Sequence, residues 1–369
     1  MMDWWVSMPK LELHAHLNGS IRNSTLLELS KELEEKGVIV FSDVEHVILK
    51  NDRSLYEVFK VFDLIHLLTT NHKTVTRITK EVVEDFAAEN VVYLELRTTP
   101  KRNDSKGMTK GSYMEAVLEG LRAVSTVDVD ILHDSDVESH INAHTQCGGG
   151  VNGTQRKKIY VRLLLSIDRR ETTEAAMETV KLAMEMRHLR VVGIDLSGPP
   201  DIGECIFMHR KTFLPALEFA KEMGLLITLH CGEVPNPKEI NEMLDFLPER
   251  IGHACCLKEE EWKKLKSSKI PVEICLTSNI TTGTISSLDA HHFVDLYYSK
   301  HPIVLCTDDS GVFSTTASRE YDIASSAFGI GKKEMFELAR NAIGFIFADD
   351  GVKRELEQIF DLAAERLQF

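Results

Sequence analysis

Apolar positions along this chain alternate between two patterns. Short runs rich in leucine and β-branched residues recur at 10–14 (KLELH), 93–98 (YLELRT), 160–167 (YVRLLLSI), 191–197 (VVGIDLS), 227–231 (ITLHC), 250–253 (RIGH), 271–277 (PVEICLT) and 303–307 (IVLCT). Several are nearly continuous in apolar residues, as parallel strands covered on both faces are. Between them the period shifts to that of amphipathic helices, at 173–188, 212–223, 237–247, 258–268 and 291–299. Eight strands alternating with helices predict an α/β chain closed into a (β/α)8 TIM barrel. A doubly wound open sheet is the alternative, but no Gly-x-Gly-x-x-Gly turn follows an early strand.

Three stretches depart from the simple alternation. The crossover from 15 to 92 is far longer than one helix needs and carries helical patterns at 24–36, 54–69 and 72–89. Extra helices after strand 1 would sit over the C-terminal mouth of the barrel and could form a lid. Two more helices, 332–348 and 351–366, extend the C-terminus. Residues 131–157, with Gly148-Gly149-Gly150 and Asn152-Gly153, read as a flexible insertion loop. The loop's His133, His140, His144 and Cys147 match no ligand spacing. No linker or repeat splits the chain, so 1–369 reads as a single domain.

Composition narrows the partners. With 369 residues and 43% hydrophobic content there is material for a large core. A net charge of −14 argues against nucleic-acid polymers, whose phosphates need a basic footprint. It leaves room for a small phosphorylated substrate. Seven scattered cysteines suggest reduced thiols rather than a disulfide framework. Neither a signal-like start nor a membrane-length apolar run is visible, so a cytosolic monomer without membrane contact is expected.

Candidate chemistry collects where the predicted strands end. His14 and His16 close the first; residues i and i+2 of a strand point the same way, so both imidazoles can reach one ion. His230 ends another strand and Glu233 follows it. His253 ends the next, and Asp308-Asp309 follow the last. In a barrel all these ends face one mouth. Imidazole and carboxylate suit zinc or a similar divalent ion, which would acidify a bound water to a pKa of roughly 7. His291-His292 read as structural, since adjacent helix residues do not share a face.

The motifs PKLELHAHLNGS (9–20), GIDLSG (193–198), LHCGE (229–233), RIGHA (250–254), LTSN (276–279) and CTDD (306–309) resemble, in order, those of the adenosine deaminase family of metal-dependent amidohydrolases. The resemblance implies one zinc ion held by His14, His16, His230 and Asp308. It implies that Glu233 donates a proton to the ring nitrogen beside C6 and that His253 orients the attacking hydroxide and takes part in proton transfer. It places Asp309 at purine N7 and the Gly198 N–H at the ring.

The segments YLELRTTPKR (93–102), LLLSIDRRET (163–172) and CTDDSGVFST (306–315) are closer to the branch acting on N6-methyl-AMP, giving IMP and methylamine. By that resemblance His16, Asn18, His66, Thr98, Thr99, Pro100, Lys101 and Asp168 also contact the nucleotide. Asn18 stands where adenosine deaminases have an aspartate, and a neutral amide does not repel a 5′-phosphate. Deamination of adenosine or AMP, and a catalytically weak purine-binding relative, are the alternatives. A two-metal barrel hydrolase fits less well, since no lysine ends a middle strand.

Overall fold

The computed structural model describes residues 2–50, 53–130, 156–200 and 212–369. Its strands are β1 Lys10–His16, β2 Val91–Thr98, β3 Asp128–Asp130, β4 Lys158–Asp168, β5 Val191–Ser197, β6 Leu226–Cys231, β7 Arg250–His253, β8 Val272–Ile274 and β9 Ile303–Leu305. Eight of them run in the order β1-β2-β4-β5-β6-β7-β8-β9. Every neighbouring pair is parallel. A parallel bridge between Ala15 and Asp308 brings the two ends of the sheet together. Asp308 N–H donates to His14 O at 2.8 Å and His16 N–H donates to Asp308 O at 3.0 Å. The architecture is a (β/α)8 TIM barrel, as the apolar pattern predicts.

The differences from the predicted elements are local. β3 lies off the barrel path and pairs with the first residues of β4, ahead of Leu163, where pairing with β5 begins. The run 271–277 divides: the strand stops at Ile274 and a helix, Leu276–Thr281, follows. A short apolar run does not distinguish a strand from a strand-to-helix junction. Helices Ser42–Ile48, Lys110–Arg122 and Ala317–Phe328 are additions to the pattern. Helix Phe293–Tyr298 starts two residues later than its apolar pattern, leaving His291 and His292 at its entry. Of the 131–157 loop, residues 131–155 lie outside the described residues, including His133, His140, His144 and Cys147. Among the described residues no helix is long and apolar enough to cross a membrane.

The long first crossover forms helices Asn23–Glu35, Ser42–Ile48, Leu55–Leu68 and His72–Ala88. Ser54 and Glu57 build a capping box that starts the third of these. The buried Arg53 guanidinium then ties the crossover to the loop after β9. It donates to Val47 O and Ile48 O on one side and to Gly311 O and Val312 O on the other, at 2.6–2.9 Å. These helices therefore stand beside the strand C-termini.

The barrel interior is charged rather than apolar. Glu12, Glu95, Arg97, Asp195, Arg250 and Glu273 are fully buried. Buried charges are costly unless they are paired and hydrogen-bonded, and all but Glu12 are; Glu12 accepts hydrogen bonds from His14 N–H and Thr307 instead, and burial raises its pKa to about 7. Near the floor Arg250 pairs with Glu95, which also takes hydrogen bonds from Tyr93 Oη at 2.8 Å and Phe347 N–H at 2.6 Å. Higher up, Arg250 Nε and Thr228 Oγ1 donate to Glu273 Oε1 at 2.7 and 2.9 Å. Arg97 bridges Glu273 at 2.9 Å and Asp195 at 3.1 Å. Charge pairing thus rises from the floor of the barrel to the base of its mouth.

Candidate active site

Two inward-facing carboxylates at the top of that network support two histidines. Glu273 Oε2 lies 2.6 Å from Nδ1 of His14, and Asp195 Oδ1 lies 2.9 Å from Nδ1 of His230. Ser166 Oγ donates to the other Asp195 oxygen at 2.8 Å. A carboxylate accepts its hydrogen bond from an Nδ1–H, which leaves each Nε2 with a lone pair turned towards the mouth. The two Nε2 atoms join His16 Nε2 and the Asp308 carboxylate, one atom from each residue lying within 4.8 Å of the others. His16 Nε2 is 3.1 Å from His230 Nε2 and 3.4 Å from Asp308 Oδ1.

This donor set fits a divalent metal ion. His14 Nε2 is buried and without a hydrogen-bond partner, 3.3 Å from Asp308 Oδ1. Buried polar atoms in native proteins are normally satisfied, and a cation among these four groups would satisfy it. The electrostatics agree. Burial and Arg97 oppose charge on His14, yet Asp308 and Glu273 outweigh them and raise its pKa to about 9. The pocket around that nitrogen therefore favours positive charge. Burial drives His16 well below the ordinary histidine range, keeping its lone pair available. Burial also opposes ionisation of Asp308, but the close approach of His14 and the charges of His14, His253 and His16 hold it well below the usual carboxylate range.

The neighbouring groups complete the site. His253 Nε2 lies 3.9 Å from Glu233 Oε1 and 4.0 Å from Asp308 Oδ2. Burial lowers the His253 pKa to about 4 against the pull of Glu233 and Asp308, so the ring is neutral at pH 7. Ser278 Oγ donates to Asp308 Oδ2 at 2.6 Å. Arg169 donates to His230 O at 2.6 Å and lies 3.4 Å from Glu233. Burial, then Asp308, pushes Asp309 well above the usual carboxylate range. His253 and Asp308 both sit in the left-handed backbone region, at φ 64° and 63°. Non-glycine residues there cost of order 1 kcal/mol or more and cluster at functional sites.

The remaining predicted residues ring the same mouth. Thr98 Oγ1 and Tyr113 Oη share a hydrogen bond at 2.7 Å, and Tyr113 Oη donates to Asn18 Oδ1 at 3.3 Å. Thr99 is half-buried and Pro100 buried at the end of β2. Lys101 Nζ donates to Thr69 Oγ1 at 2.5 Å and lies 3.3 Å from His66 Nδ1. Burial, then Lys101 and Arg170, lowers the His66 pKa, so its ring is a neutral neighbour of the Lys101 ammonium. Burial lowers Lys101 to about 8, with Arg170 adding to the effect. Asp168 pairs with Arg170 at 2.5 Å and packs against Gly198, where a Cβ would meet Asp168 Oδ1 at 2.9 Å. Sequence reasoning passed over Asp195, Glu273, Arg97 and Arg170. The first three stand in the sequence as charged interruptions of apolar runs, and only the closed barrel shows that they point inward.

A (β/α)8 barrel with histidines and acids converging at its strand ends is the frame of the metal-dependent barrel hydrolases. The sequence model of the adenosine deaminase family matches residues 9–362, and the chain belongs to that family. It is 68% identical to the N6-mAMP deaminase of Arabidopsis thaliana over 363 residues, 98% of this chain and 99% of that protein. The apo structure of the N6-methyl-AMP deaminase from Arabidopsis thaliana superposes with a TM-score of 0.89 at 65% identity, covering 99% of this chain and 100% of that one. The arabidopsis protein ADAL complexed with IMP superposes with a TM-score of 0.88 at 66% identity, covering 99% of each chain.

Proposed function

We propose that this protein is a zinc-dependent hydrolytic deaminase that converts N6-methyl-AMP and water to IMP and methylamine. The observation that carries the reading is the placement of Glu233 and His253 beside the cradle of His14, His16, His230 and Asp308. Those four residues would hold the metal, which supplies Lewis-acid activation of the attacking water. Glu233 protonates the ring nitrogen next to C6 as electrons flow onto the ring. Asp309 hydrogen-bonds N7, an acceptor, and does so in its acid form. Gly198 offers its backbone N–H to the ring, and His16 also touches substrate.

Choice of a 5′-monophosphate rests on the second group at the mouth. Lys101 and His66, with Thr98, Thr99 and Pro100 beside them, offer donors to a phosphate, and Asn18 adds a neutral amide where a carboxylate would repel one. Asp168 completes the nucleotide pocket. The 68% identity to an N6-mAMP deaminase supports the methylated substrate. Side-by-side turnover of N6-methyl-AMP, AMP and adenosine tests this directly. The expected order has N6-methyl-AMP first; a preference for adenosine would overturn the nucleotide assignment.

A further inference from the structure

We propose that Asn279 and His291 act as positioning residues that fix His253 in its Nε2–H tautomer, so that His253 faces the cradle as a hydrogen-bond donor. This rests on the deaminase reading of the site and deepens it.

The argument starts from a group whose role is not adjustable. The backbone N–H of Phe293 lies 3.1 Å from His291 Nδ1. A backbone N–H only donates, so His291 Nδ1 accepts and the ring's proton sits on Nε2. That Nε2 lies 3.2 Å from Asn279 Oδ1, to which it donates. With the amide oxygen taken by His291, the amide nitrogen faces the other way. It lies 3.0 Å from His253 Nδ1. An amide N–H also only donates, so His253 Nδ1 accepts and its proton is on Nε2. Four groups in series thus have one consistent direction, set at the far end by the main chain.

The chain is rigidly held. His253, Asn279 and His291 are all at least 97% buried, at 2%, 2% and 3% exposure. Asn279 is anchored by its own N–H to Cys275 O at 2.9 Å and by Ile285 N–H to its carbonyl at 3.0 Å. His292 holds the backbone of the same catalytic loop, donating from Nε2 to His253 O at 2.7 Å. The two adjacent histidines stack with ring centroids 4.5 Å apart. The His291-His292 pair therefore supports His253 twice, once through its ring and once through its carbonyl. In the Nε2–H tautomer that nitrogen has no free lone pair. It donates to the attacking water and orients it, while that water's proton passes to the Glu233 carboxylate, which delivers it to the ring nitrogen.

The test is a long-range 1H–15N correlation spectrum of the zinc-loaded protein with 15N-labelled histidine, which reports the tautomer of each neutral ring. Wild-type His253 is expected to show a protonated Nε2 and an unprotonated Nδ1. In Asn279→Asp a carboxylate faces Nδ1 and can only accept, so the tautomer should invert. Loss of the positioned donor should then lower kcat by roughly 10²–10⁴-fold, with KM within about 2-fold and zinc content unchanged. His291→Phe frees the amide to rotate and should give mixed tautomers with a smaller loss. A wild-type Nδ1–H signal, or an Asn279→Asp protein that keeps both tautomer and kcat, would overturn the proposal. The wild-type spectrum needs no substrate, so failure of the deaminase reading in the turnover assay would be seen separately.

Discussion

Glu273 accepts a 2.6 Å hydrogen bond from Nδ1 of His14 at a depth where neither side chain reaches solvent. The same oxygen takes Arg97 at 2.9 Å. Burial works against the Glu273 carboxylate, but Arg97, Arg250 and His14 hold it ionised, well below the usual glutamate range. An ionised partner on Nδ1 makes Nε2 a stronger donor to a metal. Glu273→Gln should therefore weaken zinc binding by about 10–100-fold. It also leaves Arg97 and Arg250 with less compensation, so the melting temperature of the metal-free protein should fall. Competition with a chromophoric chelator measures the first effect, and thermal melts measure the second. Unchanged affinity would show that His14 needs no carboxylate behind it.

Glu233 stands 3.9 Å from His253 Nε2 and outside the four-residue cradle. Its substitution by glutamine should separate proton delivery from metal binding. We expect kcat for N6-methyl-AMP to drop by roughly 10²–10⁴-fold in Glu233→Gln, with one zinc per chain retained in elemental analysis. Near-normal turnover would assign the proton to another group.

Lys101 should act on the phosphate and not on the chemistry. Lys101→Met is expected to raise KM for the monophosphate by about 10–100-fold, the size of one charge-assisted hydrogen bond, while kcat/KM for adenosine changes little. The pH dependence follows from burial, which places this ammonium's pKa at about 8. Only the protonated form attracts phosphate. In the wild type, kcat/KM for the monophosphate should therefore fall as pH rises through about 8, and this fall should be absent in Lys101→Met. An unchanged alkaline limb in the variant would remove Lys101 from the phosphate site.

The barrel and its mouth were legible because parallel strands bury both faces and so stand out as apolar runs, several ending in a candidate histidine. His14, His16, His230 and His253 could be read this way. The charged interior could not. Apolar continuity drew attention to the strands, while Arg97 in YLELRT and Glu273 in PVEIC looked like interruptions. Their meaning depends on which face points inward and which strands are neighbours, and only closure of the barrel supplies both. β3 has three residues and no apolar run, so periodicity carries no signal for it. His291 and His292 looked like adjacent positions on one helix. The helix instead begins at Phe293, which frees both rings to turn towards His253.

Gly252 explains why the RIGH motif needs its glycine. Its backbone is not in the left-handed region, so the constraint is contact and not conformation. A Cβ there would lie 2.7 Å from Cε1 and 3.1 Å from Nδ1 of His14. The ring has little room to yield, because Glu273 holds its Nδ1 and the cradle holds its other edge. Gly252→Ala should therefore tilt His14, cost about 1–3 kcal/mol of stability as overpacking, and weaken zinc binding by about 10-fold. Gly344 offers a control, since a Cβ there meets nothing within 4 Å. Gly344→Ala should leave both melting temperature and chelator competition close to wild type. If Gly252→Ala lowers the melting temperature but binds zinc with wild-type affinity, the His14 ring has adapted and its orientation is not what sets the cradle.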